Sequence, residues 1–231
     1  MQAVGPIERP GTPKRLIGIV DHEPKKLFRP RRESVVGRNQ ASALAASQPQ
    51  RAYDLAATIP DGWYRAQAMA TIARTAPEPL SEKALREARA AAAAGDDAYQ
   101  RAAVLATVIA AALKRGRRDL ADVILEDALA LVPTVEPMAS RARALHALWS
   151  VAMDLGDGIM REAVLARVQA YVHPDRSWRA RALYRDIVAA LAWDRPDHAA
   201  ALIRAMPEGK ARSYVERRRA EGERKRPRFR D

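Results

Sequence analysis

Side chains able to ligate a metal, move a proton or attack a substrate are sparse in this 231-residue chain. Its four histidines, His22, His146, His173 and His198, are dispersed, and none enters an H-E-x-x-H pattern or another paired-ligand spacing. There is no cysteine, which removes thiolate nucleophiles, thiolate metal sites and disulfides. Gly156-Asp157-Gly158 completes neither a Walker-type loop nor G-x-G-x-x-G, so a phosphate cradle is not expected there. Three carboxylate pairs, Asp96 with Asp97, Asp154 with Asp157 and Asp194 with Asp197, fall where helices are expected to begin or end and lack the EF-hand pattern; helix capping accounts for them. The sequence therefore predicts no catalytic residue, no cofactor and no metal.

What the chain does have is cations. Lys and Arg number 40 against 28 Asp and Glu, for a net charge of +12. Only 7 of the 40 are Lys; Arg suits bidentate phosphate and carboxylate recognition, although a GC-rich genome produces the same bias. The excess is concentrated at the ends. Residues 1–40 carry nine basic and four acidic groups and residues 208–231 carry ten and five, which leaves 21 and 19 for the body. Both phenylalanines also lie in these ends, Phe28 and Phe229, each among basic residues. An aromatic among cations can stack on a base while the charges hold phosphate, or anchor a segment in a protein pocket. Candidate partner-binding residues are thus Lys25, Lys26, Phe28, Arg29, Arg31 and Arg32 in the first arm, with Arg224, Lys225, Arg226, Arg228, Phe229 and Arg230 in the last. Arg31-Arg32-Glu33-Ser34 resembles a basophilic kinase site, a short pattern common by chance.

Two further candidates come from a repeat. Arg-Ala-x-Ala-Leu or a close variant begins at Arg65, Arg101, Arg141 and Arg179, at spacings of 36, 40 and 38 residues. Asp61, Asp97 and Asp175 each precede their Arg by four residues, and Glu136 precedes Arg141 by five. An acid at a helix start caps exposed N–H groups, and it is expected to pair with the Arg one turn on. The repeated Arg is therefore assigned chiefly to helix starting. Arg143 and Arg181, two positions later, point elsewhere on their helices and are the better candidates for binding.

These residues need elements to position them, and the sequence predicts helices. Apolar content is 48% with only 5% aromatic, so alanine supplies much of the buried surface. First helices are expected near residues 51–58, 82–94, 120–131, 161–171 and 198–205, and second helices near 63–74, 99–114, 138–155, 178–193 and 211–219. Leu105, Ile109, Ala112 and Leu113 form an i, i+4, i+7, i+8 stripe, and Leu183, Ile187 and Leu191 repeat it. Trp149 and Trp193 are expected to fill packing gaps. Gly116, Gly156 and Gly158 are placed at left-handed helix ends.

A period of 36 to 40 residues resembles the tetratricopeptide-like and HEAT-like α-solenoid superfamily over roughly residues 41–219, without the W-x2-L-G-x2-Y consensus. The resemblance implies a surface for proteins or peptides and transfers no individual residue. The expected fold is all-α, a right-handed α-solenoid of about four to five antiparallel helical hairpins with flexible basic termini. Residues 1–40 read as a largely irregular basic arm, 41–219 as the helical-repeat domain and 220–231 as a basic tail. No apolar run spans a bilayer and no signal-peptide core follows Met1, so the expectation is a cytoplasmic protein with no membrane partner. The leading function is a non-enzymatic scaffold or adaptor for a protein or peptide; the alternative is a nucleic-acid or ribonucleoprotein component contacting phosphates through its Arg-rich ends.

Overall fold

A computed structural model describes residues 25–222 of the chain, with side chains other than those of residues 25–31, 193, 194, 221 and 222. The described residues form eleven α-helices and no strand. In chain order these are α1 (Lys25–Leu44), α2 (Pro49–Ala57), α3 (Gly62–Thr75), α4 (Leu80–Ala93), α5 (Ala98–Lys114), α6 (Arg118–Leu131), α7 (Met138–Asp154), α8 (Gly158–Tyr171), α9 (Trp178–Asp194), α10 (Pro196–Ala205) and α11 (Lys210–Gly222). Short 3-10 turns, Val132–Thr134 and Pro174–Arg176, precede α7 and α9. None of these helices is long and apolar enough to cross a membrane.

Each expected helix between residues 51 and 219 is present, and local chemistry explains its limits. Asp61 caps α3 by accepting from the backbone N–H of Trp63 and Tyr64, and Asp97 caps α5 by accepting from that of Gln100 at 2.7 Å. At the far end of α5, Gly116 has φ of 70°, its N–H donates to Leu113 and that of Arg117 donates to Ala112, the paired bonds of a Schellman end. Gly156 and Gly158 do not repeat this device. Gly156 is not left-handed; a Cβ there would stand 2.8 Å from the Ala152 carbonyl oxygen and 2.9 Å from Met160 Sδ, so the demand is for space. Gly158 is the first residue of α8.

The first helix is a correction. Residues 25–40, expected in an irregular arm, are helical and continue to Leu44. Ser34 and Ala41 lie on one face of α1 and are buried, as is Ala45 just past its end, and a Cβ on Gly37 would stand 3.1 Å from Ile59. The docking face is made mainly of small residues, with Leu44 at its end, and packs against α2 and α3. Ser34 is thus no accessible modification site.

Packing follows an order that differs from the expected hairpins. The odd-numbered helices pack each against the next, α1 on α3, α3 on α5, α5 on α7, α7 on α9 and α9 on α11. Each even helix lies mainly against the odd helix before it: α3 packs far more closely with α4 than with α2, and α6 packs on α5 while scarcely meeting α7. The loops capped by Asp61 and Asp97 are therefore crossings between pairs, and the tight reversals are those that follow the odd helices. Inside, the stripes meet as expected: Leu105, Ile109, Leu183, Ile187 and Leu191 are buried, and Trp149 is too. Trp193 lies outside the described side chains. Alanines fill the remaining contacts between neighbouring helices, including Ala66, Ala70, Ala102, Ala142 and Ala180, all fully buried.

Candidate functional site: an arginine cleft across the odd-numbered helices

The repeated arginines prove to have different uses. Arg141 is buried, and its guanidinium reaches four acceptors: Nε donates to the Val135 carbonyl at 3.1 Å, Nη1 to Tyr171 at 3.2 Å, and Nη2 to the Pro133 carbonyl at 3.2 Å and to Glu136 at 2.8 Å. It ties the loop before α7 to the end of α8. Arg65 and Arg101 do not form the expected carboxylate pairs; Arg65 Nη1 donates to the Ile59 carbonyl, and Arg101 Nε approaches the Asp97 carbonyl at 3.4 Å. The caps use one oxygen of each carboxylate, Oδ1, and the arginines reach loop carbonyls instead. At α9 the cap is Ser177, accepting from Arg179 N–H, in place of Asp175.

Two residues on from Arg141, about 200° round the helix, the setting reverses. Arg143 is exposed and lines a cleft of about 1050 Å³ formed by α7, α9 and α11. Arg181 lines the same cleft, 38 residues along the chain. Arg179, Arg185, Lys210 and Arg217 complete six cations there, with no carboxylate among the lining residues. Each helix contributes one face: Arg143 and His146 at i and i+3, Trp178, Arg181 and Arg185 at i, i+3 and i+7, and Lys210, Tyr214 and Arg217 at i, i+4 and i+7. Ala142 and Ala182 line it between them and keep it open.

Behind the cations, Asp186 organises the floor. It accepts from Arg185 Nε at 2.5 Å and from His146 Nε2 at 3.0 Å, which ties α7 to α9. Burial disfavours the charged carboxylate, yet the hydrogen bonds from His146 and Arg185 outweigh it and hold its pKa below the ordinary value. The Asp186 hydrogen bond likewise raises the pKa of Arg185. Arg185 in turn, with Arg218, lowers the pKa of the Tyr214 phenol. Ser213 also lines the cleft, and among the described residues no hydrogen bond joins it to His146. Nor do three or more His, Asp or Glu side chains come together among the described residues to hold a metal ion.

Arg143 also borders a second hollow of about 460 Å³, shared with Arg38, Trp63, Tyr64 and Tyr99 and with two carboxylates, Asp61 and Asp97. The Trp63 and Tyr99 rings stack with centroids 5.8 Å apart and planes at 27°. Arg38 lies 5.5 Å from the Tyr64 ring centroid and donates to Gln67 at 2.9 Å. In the main cleft the Arg179 guanidinium lies 5.0 Å from the Trp178 ring centroid, while Trp178 remains 65% exposed.

Of the residues singled out in the sequence, Arg143 and Arg181 come together. Arg32 is exposed on α1, away from the cleft, beside a hollow lined by Leu55 and Ile59. Lys25, Lys26, Phe28, Arg29 and Arg31 lie on the helical backbone of α1, outside the described side chains. Arg224, Lys225, Arg226, Arg228, Phe229 and Arg230 lie outside the described residues. The sequence reading missed Trp178, Arg185, Lys210, Tyr214 and Arg217. One signal was available: an aromatic stands one or two positions before the repeated Arg at Trp63, Tyr99 and Trp178.

Fold and site together define an all-α protein of packed helices carrying an arginine-lined, aromatic-bearing cleft. Comparison of the chain with protein-family models, with curated proteins and with solved structures finds no match.

Proposed function

We propose that this chain is a non-enzymatic helical-repeat adaptor that captures an anionic partner in the cleft between α7, α9 and α11. The observation that carries it is the convergence of six cations from three helices with no carboxylate on the cleft wall. Such an array costs self-repulsion in the free protein, and a bound anion relieves it. Arg143, Arg181, Lys210 and Arg217 make no ion pair among the described residues, so their charge is available to a ligand. The serial packing of odd-numbered helices supports an α-solenoid of the tetratricopeptide-like or HEAT-like kind, with the pairs α1–α2 through α9–α10 as repeat units and α11 as the cap. In that arrangement the cleft is the groove that successive units present to a partner, and the basic ends add electrostatic capture.

The test is charge reversal. The Arg143→Glu, Arg181→Glu double variant is compared with wild type for binding of labelled polyglutamate and of labelled oligonucleotide, by fluorescence anisotropy between about 50 and 200 mM salt. At least tenfold weaker binding of one or both polyanions is expected. Unchanged affinity for both would remove the cleft from the function.

A further inference from the structure

We infer that the anionic partner is single-stranded nucleic acid, its phosphates held by the cleft arginines and a base stacked on Trp178. This rests on the adaptor reading above and adds the chemical class of the ligand. Charge alone does not choose among polyanions; the aromatic side chains do. Trp178 is 65% exposed at a wall made of cations, a position that apolar burial does not explain. Its ring carries Arg179 at 5.0 Å, and its exposure leaves ring surface open to a further flat group. Arg143 also borders the hollow where Trp63 stacks on Tyr99 and Arg38 lies over Tyr64, whose wall carries Asp61 and Asp97 as well. Rings and cations thus stand side by side in the main cleft, where Trp178 and Tyr214 lie among Arg179, Arg181 and Arg217.

That pairing of an open ring with cations is what a single strand requires. Every base has a π-face, and every linkage carries a negative charge. A duplex keeps its bases paired and stacked inside, so Trp178 would gain nothing from it. An acidic peptide supplies carboxylates to the arginine forks but no regular series of flat faces for the rings. The main cleft offers both, Trp178 with six cations and no carboxylate on its wall, whereas in the second hollow Trp63 and Tyr99 already stack on each other beside Asp61 and Asp97.

The experiment uses the full chain and 5′-labelled 15-mers of oligo(U) and oligo(dT), with a 15-base-pair duplex and polyglutamate as competitors. Single strands should bind in preference to the duplex. Trp178→Ala should weaken the strand on the order of tenfold, as loss of one base-stacking platform does, and leave polyglutamate affinity unchanged, while Trp178→Phe retains most of the affinity. The Arg143→Ala, Arg181→Ala variant should flatten the salt slope by about 1.4, two phosphate contacts on a single strand. If polyglutamate displaces the strand as well as unlabelled strand does at equal charge, or if Trp178→Ala binds like wild type, the nucleic-acid inference is wrong and the cleft is a general anion site. If charge reversal at Arg143 and Arg181 leaves every polyanion bound as before, the adaptor reading falls with it.

Discussion

Arg141 and Arg143 are two residues apart on α7, carry the same charge and stem, and are expected to differ sharply when truncated. Arg141→Ala removes a guanidinium that is 9% exposed and four hydrogen bonds with it. The bonds are not equal. Glu136 is largely exposed, so that ion pair contributes little. Pro133 is also exposed, and water can replace the guanidinium at its carbonyl. Val135 is fully buried, and its carbonyl then loses a charged donor, at about 1–3 kcal/mol. Tyr171 is half-buried and adds about 0.5–1.5 kcal/mol. Relief of the guanidinium's own desolvation offsets part of the sum, and lost packing of its stem restores it. The net expectation is a loss of about 2–4 kcal/mol, a fall of roughly 1–2 M in the urea midpoint followed by circular dichroism at 222 nm. Arg143→Ala should stay within about 0.5 kcal/mol of wild type. Arg141→Lys keeps the charge but replaces a planar fork with a point donor and should recover less than half the loss. If Arg141→Ala unfolded at the same urea concentration as Arg143→Ala, the structural role of the repeated arginine would be refuted.

Two other outcomes follow from local geometry. At Gly62 an added Cβ would stand 2.6 Å from the Ala91 carbonyl oxygen, so Gly62→Ala should destabilise α3 against α4 by about 1–3 kcal/mol despite its better helix propensity; a raised melting temperature would sink this. Asp157 caps α8 and meets Arg118 at 2.7 Å, and the Arg118 hydrogen bond, helped by Met160 N–H, holds its pKa below the ordinary value. A carboxyl with a lowered folded pKa stabilises above its unfolded value and loses that contribution as pH falls through the folded one. Asp157→Asn keeps the cap but not the charge, so its deficit against wild type at pH 7 should shrink below about pH 4. A stability gap that stayed constant from pH 7 to pH 3 would contradict the ion pair's role.

Much of the helix layout was legible because its causes are local. Asp61 and Asp97 cap groups two or three residues away, and Leu183, Ile187 and Leu191 declare their face by spacing alone. The helical segment before Leu44 was harder to recognise. Its docking face is Ser34, Gly37, Ala41 and Ala45, small residues that carry little periodic apolar signal and take their meaning from the surfaces they meet. The expected pairing of Arg65 and Arg101 with their carboxylates failed for a related reason: the loop fold puts carbonyls within reach of the guanidiniums.

By itself the sequence determined that this chain is helical, where most helices begin, and that Arg143 and Arg181 face away from their repeated neighbours. Those properties depend on hydrogen bonds and rotations within one or two turns. Which helix lies beside which was decided by the tertiary structure. The odd-numbered helices pack in series, so Arg143, Arg181 and Arg217, separated by 38 and 36 residues, share one cleft with Trp178 and Tyr214. Periodicity gives each of these residues a direction on its own helix; only packing brings those directions onto a common wall.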